Sequence, residues 1–146
     1  MDAESIALLQ KVLKDSGYSM TAPRQIVCEL LWNREPQTIH DLTVRSRDHI
    51  DRASLYRTLT LFERLGLIQR VYIGWKYKVE LSDVFTHHHH HISCNRCGKV
   101  VALKNEHEIE QLITSLAASH GFTAAKHQLE IQGVCAVCAA QPAPIA

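Results

Sequence analysis

Residues Asp51 to Leu81 read DRASLYRTLTLFERLGLIQRVYIGWKYKVEL, and a change of period inside this stretch decides the fold. Leu55, Leu59 and Phe62 recur at helical spacing from a start at Asp51 or Arg52, and Gly66 supplies the left-handed residue that closes a helix ending at Leu65. From Leu67 the pattern turns extended: Leu67 to Ile73, a turn at Gly74, and Trp75 to Leu81 read as a β-hairpin. Upstream, Asp2 can cap a helix that carries Ile6, Leu9, Val12 and Leu13 and stops at Gly17. Thr21 is placed to cap a second helix, with Pro23 in its first turn and Ile26, Val27, Leu30 and Leu31 as its apolar stripe. Thr38 opens a short third through Ile39, Leu42 and Val44. Short helices followed by a hairpin predict a winged helix-turn-helix whose fourth helix enters the major groove and whose hairpin is the wing.

Beyond the hairpin the pattern breaks around Ser82 to Thr86, where a linker is expected. Strands are expected at His88 to Ser93 and Val100 to Lys104. Asn105 with Glu108 forms a possible capping box for a helix running to His120 and closed by Gly121. A last strand spans about His127 to Gln132. The expected class is therefore α+β: a winged helix-turn-helix domain over residues 1–83, a small C-terminal α/β domain over 84–140, and a flexible tail over 141–146.

Composition narrows the function. The chain has 146 residues, 46% of them hydrophobic, as in core-forming globular proteins, so disordered and collagen-like classes are excluded. There is neither a long apolar run nor a charged-then-apolar leader, which points to a cytosolic protein. Net charge is only +1, yet Arg45, Arg47, Arg52, Arg57, Arg64, Arg70, Lys76 and Lys78 face only Asp48, Asp51 and Glu63 between residues 45 and 78. Such a basic stripe fits an encounter with phosphates.

The metal-competent side chains are concentrated in the second half. Cys94-x-x-Cys97 and Cys135-x-x-Cys138 form two knuckles, and four of the five cysteines in pairs of this spacing point to metal rather than to a disulfide framework. Together they supply the sulfurs of a closed tetrahedral zinc site, structural because no coordination position stays open. The 37 residues between the pairs exceed usual zinc-ribbon spacing and leave room for an inserted helix and strands. Cys28, among Ile26, Val27, Leu30 and Leu31, reads as a buried, inert thiol.

His87 to His91 are consecutive and internal, so an affinity tag does not explain them. On a strand, His89 and His91 share one face while His88 and His90 share the other. Glu80 at the end of the wing is positioned to join His89 and His91 in a site bridging the domains. Glu110 and His127 are positioned to join His88 and His90 inside the second domain. Nitrogen and oxygen ligands of this kind suit Fe(II), Mn(II) or Zn(II). His49, His107 and His120 read as solvated surface residues.

Thr21-x-x-Arg24, Ser54-Leu55-Tyr56-Arg57 before Gly66-Leu67-Ile68, the histidine run with Cys94-x-x-Cys97-Gly98, Gly121-Phe122, and His127 followed by Gly133-Val134-Cys135-x-x-Cys138 form an ordered set. In that set the chain resembles the Fur family of metal-dependent transcriptional regulators over roughly residues 5 to 140. The resemblance implies a homodimer built on the second domain, bound with its metal to an AT-rich, pseudo-palindromic operator, repressing metal-uptake genes. It implies DNA contacts from Tyr56 and Arg57, with Arg52 and Ser54 on the same helix and Arg24 and Lys76 reaching the backbone. Several positions depart from the family pattern. Glu35 or Pro36 stands where iron and peroxide members often carry histidine, and Ala102 where an acid is common. Glu35 and His40 are then the candidates for a further ligand beside Glu80, His89 and His91. Peroxide sensors typically have Asp where Glu80 stands, and Gln69 differs from the zinc sensors. The sensed metal is thus expected to be iron or zinc, with manganese-sensing and peroxide-sensing members as alternatives. A metal-dependent hydrolase finds no H-E-x-x-H or H-x-E signature. A metal buffer that binds no DNA leaves the basic helix and hairpin without a role.

Overall fold

The computed structural model describes residues 1–103, 107–123 and 127–141. It divides into two compact units, Met1–His88 and His89–Ala146. The division falls a few residues beyond the expected boundary because the segment after the wing stays with the first unit. There Ser82 Oγ donates to the Gly66 carbonyl at 2.5 Å, and Phe85 meets Trp32 edge to face at 6.4 Å.

The first unit runs α1 (Ala3–Asp15), α2 (Ala22–Leu31), α3 (Ile39–Ser46), α4 (Arg52–Arg64), then β1 (Ile68–Ile73) and β2 (Lys76–Leu81). Each helix starts where its cap residue stands, though not always through the cap. Asp2, Thr38 and Asp51 accept from the backbone N–H groups of Ser5, Asp41 and Ser54. Thr21 occupies the cap position of α2 but makes no side-chain capping bond, contrary to expectation, and Pro23 lies at that helix's start. At α3 the bond is reciprocal: Asp41 N–H donates to Thr38 Oγ1 at 3.0 Å while Thr38 N–H donates to Asp41 Oδ2 at 3.1 Å. At the end of α4, Gly66 takes φ 68° and the Leu67 N–H closes on the Phe62 carbonyl at 2.8 Å, so the helix stops and the wing begins.

Leu9 and Leu13 of α1, Val27 and Leu31 of α2, Leu42 of α3, Leu55 and Phe62 of α4, and Val79 and Leu81 of β2 bury one aliphatic core. The fourth helix is thereby clamped on its inner face while Tyr56 and Arg57 remain outside. β1 and β2 pair antiparallel from Ile68↔Leu81 to Ile73↔Lys76. Gly74 opens their tight turn at φ 57°. Gln37 adds a third edge, exchanging backbone bonds of 2.9 and 2.7 Å with Val79, which period reading did not foresee.

The second unit holds β3 (His91–Cys94), β4 (Val100–Ala102), α5 (His107–Ser119), β5 (Glu130–Gly133) and the short α6 (Ala136–Ala139). The sheet order is β4-β3-β5, with β3 antiparallel to β4 and parallel to β5. The strand expected from His88 begins only at His91, because its neighbours end there: β4 stops at Ala102 and β5 starts at Glu130. For the same reason His127 precedes its expected strand rather than lying in it. The Asn105 capping box, Lys104 and the tail beyond Gln141 lie outside the described residues.

The reciprocal bonds at α3 make a stability prediction. Thr38→Ala should cost about 1 kcal/mol in urea unfolding, as cap removals do. Asp41 is held below the usual carboxylate range, first by the Thr38 hydroxyl. Its contribution is therefore present above the unfolded carboxyl's pKa of about 4 and fades as pH falls through the lower folded value. Wild type should exceed Asp41→Asn in stability at pH 7, and the gap should narrow below about pH 4; equal stabilities at pH 7 would contradict the capping argument.

Candidate functional site

The two cysteine pairs meet in the second unit. Ligand atoms of Cys94, Cys97, Cys135 and Cys138 all lie within 4.8 Å of one another, and the Cys97 and Cys135 sulfurs are 3.9 Å apart. A tetrahedron with metal–sulfur bonds of ~2.3 Å has sulfurs about 3.8 Å apart, so the donor set fits one zinc ion. The chain builds this cluster from tight backbone turns. Gly98, at φ 72°, lets its N–H reach the Cys94 carbonyl at 2.9 Å, and Asn95 N–H ties the first knuckle to the Gly133 carbonyl at 2.8 Å. Arg96 donates to the Cys138 carbonyl and, at 3.1 Å, to that of Gln141.

The thiols do not share one electrostatic setting. Cys94 is drawn down to about 6, first by the Cys135 backbone N–H, which reaches its sulfur at 3.3 Å. Cys138 is pushed up to about 12, first by the neighbouring Cys135 side chain and then by desolvation. Crowded thiols resist losing further protons without a counter-cation, which is the condition a divalent metal relieves. Cys28, by contrast, sits in the first unit's core and is pushed up to about 12 by burial, as an inert thiol should be.

A second cluster gathers on Glu110 of α5. His90 Nε2 lies 3.0 Å and His127 Nε2 3.1 Å from the same Glu110 oxygen, and the two rings are 5.2 Å apart. His90 is fully buried, which for a polar ring signals an engaged one. His89 and His91 group separately, with ring centroids 4.7 Å apart. The parity read from the sequence thus separates His90 from His89 and His91 although the strand starts only at His91. His88 closes the first unit, its Nδ1 2.7 Å from Asp83. Glu80, buried in the first unit, accepts from Gln69 Nε2 at 2.8 Å. Glu35 and His40 are both exposed, His40 on α3.

The candidate DNA-contact residues lie in the first unit. Thr21, Arg24, Ser54 and Arg57 line one open pocket that spans the starts of α2 and α4. Arg57 donates to Ser54 Oγ at 3.1 Å, and Ser54 Oγ donates to Asp51 at 2.6 Å. Tyr56 is 42% exposed, which excludes a core role, and the Arg52 guanidinium lies 5.5 Å from its ring centre. Lys76 stands exposed at the start of β2 beside Trp75, whose side chain projects fully into solvent at the wing tip.

The description of the ferric uptake regulator family matches residues 15–132. The ferric uptake regulation protein of Yersinia pestis is 33% identical over 131 residues, covering 86% of each chain. Its counterpart in Escherichia coli K12 is 36% identical over 132 residues, covering 85% of this chain and 86% of that one. Among solved structures, the Vibrio cholerae ferric uptake regulator superposes with a TM-score of 0.71 at 30% identity, covering 86% of this chain and 98% of the other. Among the described residues no helix is long and apolar enough to cross a membrane. With its winged helix-turn-helix and its cysteine- and histidine-rich second unit, this chain belongs to the ferric uptake regulator family, a family of transcription regulators rather than enzymes.

Proposed function

We propose that this protein is a metal-responsive repressor that binds operator DNA as a metal-loaded homodimer, with iron or zinc as the sensed metal. The observation that carries the reading is the convergence of His90 and His127 on one Glu110 oxygen beside a separate cluster of four thiols. One donor set is closed and sulfur-rich, the other rich in nitrogen and oxygen. The first suits a permanent structural Zn(II); the second suits an exchangeable ion.

In this reading Cys94, Cys97, Cys135 and Cys138 hold the structural zinc. Glu80, His89 and His91, with Glu35 or His40, hold the regulatory ion, and His88, His90, Glu110 and His127 hold a further exchangeable one. By resemblance to the family, binding at the set with Glu80, His89 and His91 is what would couple DNA reading to metal. A cation bound there supplies the charge that lets the carboxylate and both imidazoles be engaged at once. Zinc outcompetes ferrous iron at an equivalent nitrogen and oxygen site, so availability and ligand geometry decide the physiological metal.

Dimerisation is supported by the surface of the second unit. Leu112 and Leu116 of α5, Phe122, Val134 and Val137 are 51–72% exposed, apolar side chains that a second copy of the chain could cover. DNA binding through α4 is supported by Tyr56 and Arg57 standing outside on a helix whose opposite face is fully buried. Arg57 is suited to guanine or phosphate, and Tyr56 to thymine methyl groups. Arg52 and Ser54 share the first turn of that helix, while Arg24 and Lys76 are the backbone contacts.

Binding to a duplex selected by the protein from a random pool should appear on adding Fe(II) or Zn(II) and disappear with a chelator. Binding that ignores both metals would overturn the regulatory reading. Glu110→Ala should weaken the exchangeable ion by more than about tenfold in a metal titration while leaving the structural zinc in place. Cys94→Ser should behave oppositely, losing one zinc per chain by elemental analysis and with it the cooperative melting of the second unit.

A further inference from the structure

Tyr18, in the turn between α1 and α2, gathers two arginines from different helices. Its ring centre lies 5.4 Å from the Arg24 guanidinium and 5.6 Å from that of Arg64, and the Tyr18 hydroxyl accepts a hydrogen bond from Arg64. Arg24 is steadied further by donating to the Ser19 carbonyl. Among the described residues no ion pair involves Arg24 or Arg64. Two like charges are therefore drawn to one aromatic ring with no acid between them. The ring attracts each cation, the two cations repel one another, and an anion that contacts both guanidinium groups would offset that repulsion.

The place of this pair suggests which anion. Ser54, Arg57, Leu61 and Arg64 succeed one another along one side of α4 at helical spacing. The first three line the pocket that also holds Arg24. The cluster thus continues the row that begins with Arg57, two turns further along the helix. Guanidinium forks match phosphate oxygens in geometry as well as charge.

We propose that Tyr18, Arg24 and Arg64 form a phosphate-holding site, in which the tyrosine positions both arginines against the DNA backbone beside the bases read from α4. The proposal rests on the DNA-binding reading above and adds Tyr18 and Arg64 to it. Arg64 carries no sequence information in this role; it anchors the duplex and fixes the helix's register.

The test measures affinity against salt by fluorescence anisotropy, with metal present, for the duplex selected by the wild-type protein and for an unrelated duplex of equal length. Each phosphate contact contributes a slope of about 0.9 in log affinity against log salt. Arg64→Gln should lower the slope by about 1 on both duplexes and leave their affinity ratio unchanged. Between 50 and 200 mM salt, wild type should lose about 3.5-fold more affinity than the variant. Arg64→Lys, which keeps the charge, should restore most of the slope, and Tyr18→Phe, which removes only the hydroxyl acceptor, should fall between. Arg64 is exposed, so an unchanged melting temperature separates these effects from misfolding. A wild-type slope in Arg64→Gln overturns the proposal, while loss of discrimination in Arg57→Gln in the same experiment would leave the DNA-binding reading intact. If wild type selects no duplex at all, both fall together.

Discussion

Four sulfurs within 4.8 Å of one another are the constraint on which the second unit depends. They join the turn after β3 to the start of α6, and β5 is led alongside β3 between them. Little else in that unit could do so. Its buried side chains among the described residues are His90, His91, Ser93, Cys94, Val100 and Cys138, and α5 buries none. The first unit is different in kind, since it encloses aliphatic and aromatic side chains from all four of its helices and its hairpin. Apolar burial specifies one half of the molecule, while the other gathers thiols and imidazoles where a core would be.

The histidine run belongs to this second logic, but it begins in the first. His88 is the last residue of one compact unit and His89 the first of the next. A single extended segment thus spells out side chains for both, and its alternation sends neighbours to different partners. His90 goes to Glu110, whereas the His89 and His91 rings meet edge to face. A helix at this position would have spread the same five rings around its axis, and neither grouping would have formed.

Much of this was legible from residue types. The core stripes of α1 to α4 follow the spacing of Leu9, Leu13, Val27, Leu31, Leu55 and Phe62, and Gly66 marks where helix gives way to wing. The thiol cluster was equally plain because two C-x-x-C pairs holding four of the five cysteines have few uses other than gripping a metal. Parity of the histidines survived even though the strand begins only at His91, since alternation is a property of extended backbone and does not need a ladder. What escaped was either too short or too distant. Gln37 makes a single bridge, and α6 spans four residues, below any detectable period. Tyr18 and Arg64 meet across 46 positions, and only the packed core brings them together. Thr21 shows the opposite failure: a residue suited to capping stands at the cap position without making the bond.

The parallel pairing of β3 with β5 bears on how the chain reaches its final form. Helices α1 to α4 and the hairpin also make distant contacts, α2 with α4 and Gln37 with Val79, but all of them lie within the first 88 residues. In the second unit, His91 finds Glu130 only after the intervening chain has been brought back on itself, and the reward is a ladder of four residue pairs. Loop-closure entropy is spent before those contacts repay it. With the structural zinc proposed above, thiolates captured on both sides of that loop would shorten the search, because the ends would be held while the strands align. On a nascent chain the winged helix, made first, can therefore be complete before β5 has been synthesised, so the order of synthesis matches the order in which the two halves become able to fold.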